Sequence, residues 1–277
     1  MKLDLVVHPS REGAAAVAEA LVAEASSRGM TVTASAEDAG RVAGAEVRPS
    51  DTLPGGDVIV AVGGDGTMLE AVRLGLATGL PVLGVNAGHI GFLAAVEPEG
   101  TGAALDALAA GDWQESSRMT LAAQMPGSEP VAGINDVVVE KVLSQHVVKI
   151  GVSVGTERLV CYRADAVVVA TPTGSTAYTF SAGGPLVDPE LEALIVTAVA
   201  PHNLFARPLV FGPDTRLQLG AEGDRPARVN VDGRCIGELD PGDTVEVWRG
   251  DSAARLVVLS PRHFGAAVRE KFGLHDA

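Results

Sequence analysis

The stretch that most restricts the fold is Asp57-Val58-Ile59-Val60-Ala61-Val62, which runs unbroken into Gly63-Gly64-Asp65-Gly66-Thr67. A continuous β-branched run lacks the polar alternation of a strand with one wet face. It therefore predicts a strand covered on both sides, as in a parallel sheet. The glycines turn the chain sharply, and Thr67–Leu76 then carries a helical pattern. Strand, glycine turn and helix form the repeating unit of an open α/β sheet. Leu3–Val7, Thr31–Ala34 and Pro81–Val85 read as further strands, and Ala14–Ser26 and Thr101–Ala110 as helices. The Gly-, Ala- and Pro-rich connection Asp38–Pro54 fits neither pattern.

After Arg118 the texture changes to short strand-like runs separated by Gly, Pro and Ser: Met119–Met125, Gly133–Glu140, Val147–Val154 and Arg158–Ala164. The stretch Ser153–Glu157 reads as a hairpin turn. Arg216–Leu219, Ala227–Val231, Thr244–Val247 and Leu256–Leu259 continue the β pattern, with one helix expected near Pro189–Ile195. The expected division is an α/β domain over residues 1–118, a β-rich domain over 119–255, and a tail, 256–277. That tail, with a helical pattern over Phe264–Phe272, is expected to pack back on the first domain.

Charge and cysteine content exclude several function classes. With 21 Lys and Arg against 35 Asp and Glu the chain carries a net charge of −14, the wrong sign for sequence-independent nucleic-acid binding. Aromatics make up 4%, too few for a single-strand stacking platform. Cys161 and Cys235 stand far apart and outside any CxxC pair, which argues against a structural zinc site. No apolar run approaches the roughly 20 residues that span a bilayer, and Met1–Val7 reads as a strand rather than a leader. A cytoplasmic protein without membrane or nucleic-acid partners is expected.

Three loops carry the chemistry, each following a strand. In Gly63–Thr67 the glycines let backbone approach an anion, the helix N-terminus offers unpaired N–H groups, and Thr67 is placed to cap. No Lys stands at the Walker position, so this is not a P-loop. Asp65 is the informative residue: a carboxylate in a phosphate cradle is repelled by its ligand unless it binds a metal or accepts a proton. An Asp simply suited to a tight turn is the alternative. The second loop, Gly84–Leu93, adds Asn86 for polar contacts, with His89 read as a polar loop residue. In the third, Asp165–Tyr178, a buried strand opens into five hydroxyl side chains and no cation. Together with Ser181–Pro185 it offers neutral hydrogen bonds of the kind that hold a base or ribose edge.

These loops, in this order, resemble the NAD kinase family. The resemblance rests on GGDGT at Gly63–Thr67, NAGHIGFL at Asn86–Leu93 and NDVVVEK opening at Asn135-Asp136. ATPTGSTAYTFSAGGP at Ala170–Pro185 and APHNLFARPLVF at Ala200–Phe211 complete it, over roughly residues 55–250. GGDGT is shared with diacylglycerol, sphingosine and phosphofructokinase-type kinases, whereas TPTGSTAY followed by AGGP is specific.

The resemblance implies an N-terminal open α/β (Rossmann-like) domain with a C-terminal β-sandwich domain, assembled as a homodimer or homotetramer. It implies phosphoryl transfer from ATP, or polyphosphate, to the adenosine-ribose 2′-hydroxyl of NAD, with a divalent metal, Mg²⁺, beside the donor and unassigned protein ligands. Asp65 would be the proton acceptor, with Gly63, Gly64, Gly66 and Thr67 around it. Asn135 and Asp136 would hold ribose hydroxyls and Asp165 the dinucleotide. Thr176, Ala177, Tyr178 and Ser181 would line the adenine side, with His146 and Arg163 as further NAD contacts. Ala166 stands where the family commonly has Gly, and Asp136 where Glu is frequent. Asp232-Gly233-Arg234 looks like the family's late Asp-Gly turn. A lipid or sugar kinase sharing GGDGT leaves Thr171–Pro185 unexplained, and retention of Asp65 counts against a regulator without turnover.

Overall fold

The computed structural model describes all residues except 12, 50–51, 88–90, 94–95, 261–262 and 275–277. Two compact units result: Met1–Ser117 with Ala254–Ala277, and Arg118–Ala253. The first is α/β around a parallel sheet, and the second is built from antiparallel sheets.

The first unit opens with β1 (Lys2–Val7), α1 (Ala14–Ser27), β2 (Thr31–Ala34), α2 (Ala36–Ala39) and β3 (Glu46–Val47). It continues through β4 (Val58–Gly63), α3 (Asp65–Thr78), β5 (Val82–Asn86), α4 (Thr101–Ala110) and β6 (Gln114–Arg118). The sheet order is β3-β2-β1-β4-β5, with parallel pairing throughout that run. Every residue of β4 is buried, as an uninterrupted β-branched run requires. From β1 the chain steps outward to β2 and β3, then returns to the other side of β1 for β4 and β5. The order therefore reverses between β1 and β4, and the loops leaving their carboxyl ends flank the crevice where open α/β sheets take ligands.

A buried carboxylate ties down the connection that the sequence pattern leaves unassigned. Asp4, fully buried in β1, accepts from Thr33 Oγ1 (2.7 Å), Arg48 Nη1 (2.9 Å) and the backbone N–H groups of Gly55 (3.0 Å) and Gly56 (2.6 Å). A Cβ at Gly56 would lie 2.6 Å from the Lys2 carbonyl oxygen, so only glycine lets this loop close on β1.

The second unit contains β7 (Leu121–Gln124), β8 (Val131–Gly133), β9 (Asp136–Lys141), β10 (Val148–Val154), β11 (Glu157–Ala164) and β12 (Ala166–Ala170). After the 3₁₀ turn Thr173–Thr176 come α5 (Tyr178–Ser181), β13 (Leu194–Val199), β14 (Leu209–Phe211) and β15 (Leu217–Glu222). The unit ends with β16 (Ala227–Val231), β17 (Arg234–Leu239) and β18 (Thr244–Arg249). Two six-stranded sheets, β11-β10-β15-β18-β7-β8 and β14-β13-β12-β9-β16-β17, share one core. Leu121, Ile150 and Leu219 from one face Val139, Val169 and Val196 from the other, the packing of a β-sandwich. The second face of the β12 sheet is also covered, with Val168, Ala170 and Ile195 packed against Val187 and Val199.

One expectation is corrected. No helix forms over Pro189–Ile195: Asp188 makes a turn by accepting from Glu190 N (3.0 Å), and the β-branched run LIVTAV then pairs with β12 as β13. The β run near Leu256–Leu259 lies in the expected tail, 256–277. Its strand, β19 (Ala254–Val258), pairs in parallel with β5 in the first unit, followed by α6 (Phe264–Phe272).

The Asp4 network yields a prediction. Asp4→Ala strips a buried acceptor from Arg48 and two backbone donors, a change of the kind that costs about 3–5 kcal/mol. A corresponding drop in the denaturant midpoint is expected; a shift under 1 kcal/mol would mean that solvent replaces the carboxylate.

Candidate active site

In the first unit the GGDGT turn sits where β4 meets α3. Gly63 closes the strand, Gly64 caps the helix in an extended conformation, and Asp65 is the first helical residue. A Cβ on Gly63 would lie 2.2 Å from Thr67 Oγ1, which explains the glycine. The partly buried Asp65 carboxylate faces residues 91–93 and accepts from Phe92 N (3.5 Å) and Leu93 N (3.4 Å). Both bonds lie at the long limit of hydrogen bonding, so the oxygens are oriented without being saturated. Gly91 lets the carboxylate stand against the backbone there: a Cβ would lie 2.1 Å from Asp65 Oδ1 and displace it.

Phe92 is itself pinned from the C-terminal tail. Its ring lies 6.0 Å from that of Phe272, and Lys271 Nζ stands 3.9 Å from its centroid. Asn86 is fully buried and donates to the Glu97 carboxylate (3.2 and 3.3 Å). His89 lies outside the described residues.

In the second unit, Asn135 and Asp136 enter β9 under a clamp that sequence reasoning overlooked. Asp232, at φ 47°, accepts the backbone N–H groups of Ile134 (2.8 Å), Asn135 (2.8 Å) and Asp136 (3.1 Å). Gly174 presses from the other side, where a Cβ would lie 2.0 Å from the Asn135 carbonyl oxygen. The signal for Asp232 was present as the Asp-Gly turn, since Asp is among the residues that best tolerate left-handed backbone.

The hydroxyl-rich loop divides into supports and exposed groups. Thr171, Thr173 and Ser175 are buried; Thr171 Oγ1 donates to the Ile134 carbonyl and accepts from Gly174 N (3.1 Å), and Ser175 Oγ exchanges bonds with the Val187 backbone. Thr176 and Ala177 are partly exposed, and Tyr178 and Ser181 are exposed.

Asp136, Glu140, Lys141 and Asp165 surround Tyr178. Burial raises the phenol's pKa, with Glu140, Asp165 and Asp136 adding to the shift and Lys141 opposing it. Lys141 Nζ is paired with Asp165 Oδ1 at 2.6 Å, a partner the sequence reading also missed. The Asp136 carboxyl is pushed up to about 7, first by burial and then by neighbouring Asp232. Asp232 is also raised by burial, against the pull of its three N–H partners. His146 stands exposed in the loop before β10, and Arg163 stands exposed on edge strand β11. Neither is among the charges acting on Tyr178.

Among the described residues no three His, Cys, Asp or Glu side chains converge as a metal cage. Nor is any described helix long and apolar enough to cross a membrane.

Comparison with known proteins places both units. Residues 3–113 match the ATP-NAD kinase N-terminal domain and residues 134–259 the ATP-NAD kinase C-terminal domain. The NAD kinase of Heliobacterium modesticaldum is 43% identical over 78% of each chain. That of Symbiobacterium thermophilum is 37% identical over 98% of each. Among solved structures, yeast NADH kinase complexed with NADH superposes with a TM-score of 0.89 at 22% identity, covering 100% of this chain and 89% of its own. An NAD kinase from Archaeoglobus fulgidus in complex with ATP gives 0.76 at 24%, covering 99% and 98%. At these identities the two structures establish the fold. Both halves of a two-domain phosphotransferase are thus present in one chain. The chain belongs to the NAD kinase family, and it is an enzyme.

The raised Asp136 carboxyl makes a signed prediction. Its folded pKa lies above the unfolded value, so the stability it confers is full below about pH 4 and is lost as pH rises to about 7. Relative to Asp136→Asn, wild-type stability should fall across that window by at most about 1.4 kcal/mol per pH unit. A difference that stays flat with pH would show that the carboxyl is ionised throughout.

Proposed function

We propose that this enzyme transfers the γ-phosphoryl group of ATP to the adenosine-ribose 2′-hydroxyl of NAD, giving NADP and ADP. The observation that carries the reading is Asp65: a carboxylate at a helix N-terminus, beside glycines, held by two long backbone hydrogen bonds. In the proposed step the 2′-oxygen forms a bond to the γ-phosphorus as the bond to the β–γ bridging oxygen breaks. The bonding electrons leave on ADP, and the hydroxyl proton passes to Asp65. A secondary alcohol is a poor nucleophile until its proton has an acceptor, and the remaining rate gain comes from alignment and charge neutralisation.

Asn135 and Asp136 are assigned to ribose hydroxyls. Asp165, held by Lys141, and the exposed edge of Thr176, Ala177, Tyr178 and Ser181 are assigned to the rest of the dinucleotide, with His146 and Arg163 as outer contacts. The support is the clamp by Asp232 and Gly174, which fixes the Asn135-Asp136 pair before any ligand arrives. Mg²⁺ enters as part of the MgATP substrate, since Mg²⁺ binds through phosphates with few protein ligands. Polyphosphate is proposed as an alternative donor on the same phosphate chemistry.

We place the enzyme in the cytoplasm as a homodimer or homotetramer. The exposed apolar side chains of Leu204 and Phe205, and of Val210 on edge strand β14, support a self-associating surface.

The test is an endpoint assay with NAD, ATP and Mg²⁺ in which an NADP-specific dehydrogenase detects product. Wild-type enzyme should form NADP, and Asp65→Asn should lose roughly 10²–10⁴-fold in turnover while still binding NAD by calorimetry. Undiminished turnover in Asp65→Asn would overturn the proton-acceptor assignment. NADP formed with neither ATP nor polyphosphate would overturn the reaction.

A further inference from the structure

A phosphate cradle that contains a carboxylate needs a cation to offset it, and the GGDGT turn supplies none of its own. The neighbouring loop does. After β1 the chain continues through His8–Arg11, on the other side of the crevice from Gly63–Gly66, at the point where the strand order reverses.

That segment is locked to the sheet. His8 N donates to the Val62 carbonyl (3.0 Å), extending the β1–β4 pairing. His8 Nδ1 accepts from the backbone N–H groups of Ser10 (3.2 Å) and Arg11 (2.8 Å). The Arg11 backbone is thereby held at the carboxyl end of β1, and its side chain lies back across the GGDGT turn. A Cβ on Gly64 would stand 2.3 Å from Arg11 Nη1, so the guanidinium lies directly over the glycine. Arg11 makes no ion pair or side-chain hydrogen bond among the described residues. That is unusual for a stationed guanidinium in a chain of net charge −14.

The same turn holds a second unused group. Thr67 Oγ1, in the first turn of α3 and 6% exposed, has no hydrogen-bond partner among the described residues and faces Gly63. A buried hydroxyl without a partner carries a desolvation cost that an incoming acceptor removes.

We infer that Arg11 is a donor-side binding residue whose guanidinium pairs with the terminal phosphoryl oxygens of the polyphosphate donor over Gly63-Gly64, with Thr67 Oγ1 as a further donor beneath. The inference rests on the phosphotransferase reading above and adds the residue that neutralises the transferred group next to Asp65. The guanidinium's planar fork suits two phosphoryl oxygens at once, which an ammonium cannot reproduce.

The experiment compares wild-type enzyme with Arg11→Ala and Arg11→Lys, varying MgATP at saturating NAD and then NAD at saturating MgATP. Arg11→Ala should raise KM for ATP at least tenfold and leave KM for NAD within twofold, with Arg11→Lys in between. Inorganic tripolyphosphate, titrated calorimetrically, should bind wild type at least tenfold more tightly than Arg11→Ala, whereas AMP should bind both alike. An unchanged KM for ATP, or equal increases in both KM values with a lowered Tm, would overturn the inference. The tripolyphosphate titration needs no turnover. If wild type makes no NADP but shows this difference, the reaction assignment fails and Arg11 stands; if NADP forms and the difference is absent, the reverse holds.

Discussion

Aspartate carboxylates capturing backbone N–H groups organise both units of this protein. Asp4 takes the amides of Gly55 and Gly56, and Asp232 those of Ile134, Asn135 and Asp136. Asp65 takes those of Phe92 and Leu93. The donors lie in loops or, for Asp136, at the first residue of a strand, and such donors must be satisfied if buried. The distances separate the roles. Asp4 and Asp232 hold their amides at 2.6–3.1 Å, whereas Asp65 holds its amides at 3.4–3.5 Å. The carboxylate assigned the proton is the one whose oxygens are least committed.

Glycine makes these captures possible. Gly56, Gly91 and Gly174 stand where a Cβ would meet, respectively, a carbonyl oxygen, the Asp65 carboxylate and the Asn135 carbonyl. Gly64 stands against a guanidinium. The glycines of the motif loops are therefore packing constraints around particular polar atoms, not only turn formers. In the first unit the tail takes part as well: Phe272 and Lys271 hold Phe92, whose amide orients Asp65.

Much of the fold was legible because strands covered on both faces write themselves as β-branched runs. Val58–Gly63 and Ala166–Ala170 are buried at every position. The misread helix at Pro189–Ile195 fails for the same reason in reverse: LIVTAV belongs to the strand grammar, and Pro-Glu-Leu before it only turns. Strand β19 reads as β in isolation, but no local pattern says that its partner is β5, about 170 residues earlier in the chain. Within the candidate site, side chains in contiguous motifs were legible: Asp65, Asn135, Asp136 and Tyr178. Those acting across long sequence separations were not. Asp232 lies 97 residues from Asn135, Lys141 lies 24 from Asp165, and Arg11 reaches Gly64 only through the sheet order.

The central claim is that a hydroxyl of NAD, deprotonated toward Asp65, receives a phosphoryl group. It is tested most directly by locating the new phosphate. Wild-type enzyme would be run to completion with NAD and ATP, and the product examined by phosphorus–proton correlation NMR. The account predicts a phosphomonoester coupled to the proton on the 2′-carbon of the adenosine ribose, with ADP in equal amount. A phosphate at any other position, or ATP consumed to free inorganic phosphate with NAD unchanged, would contradict it.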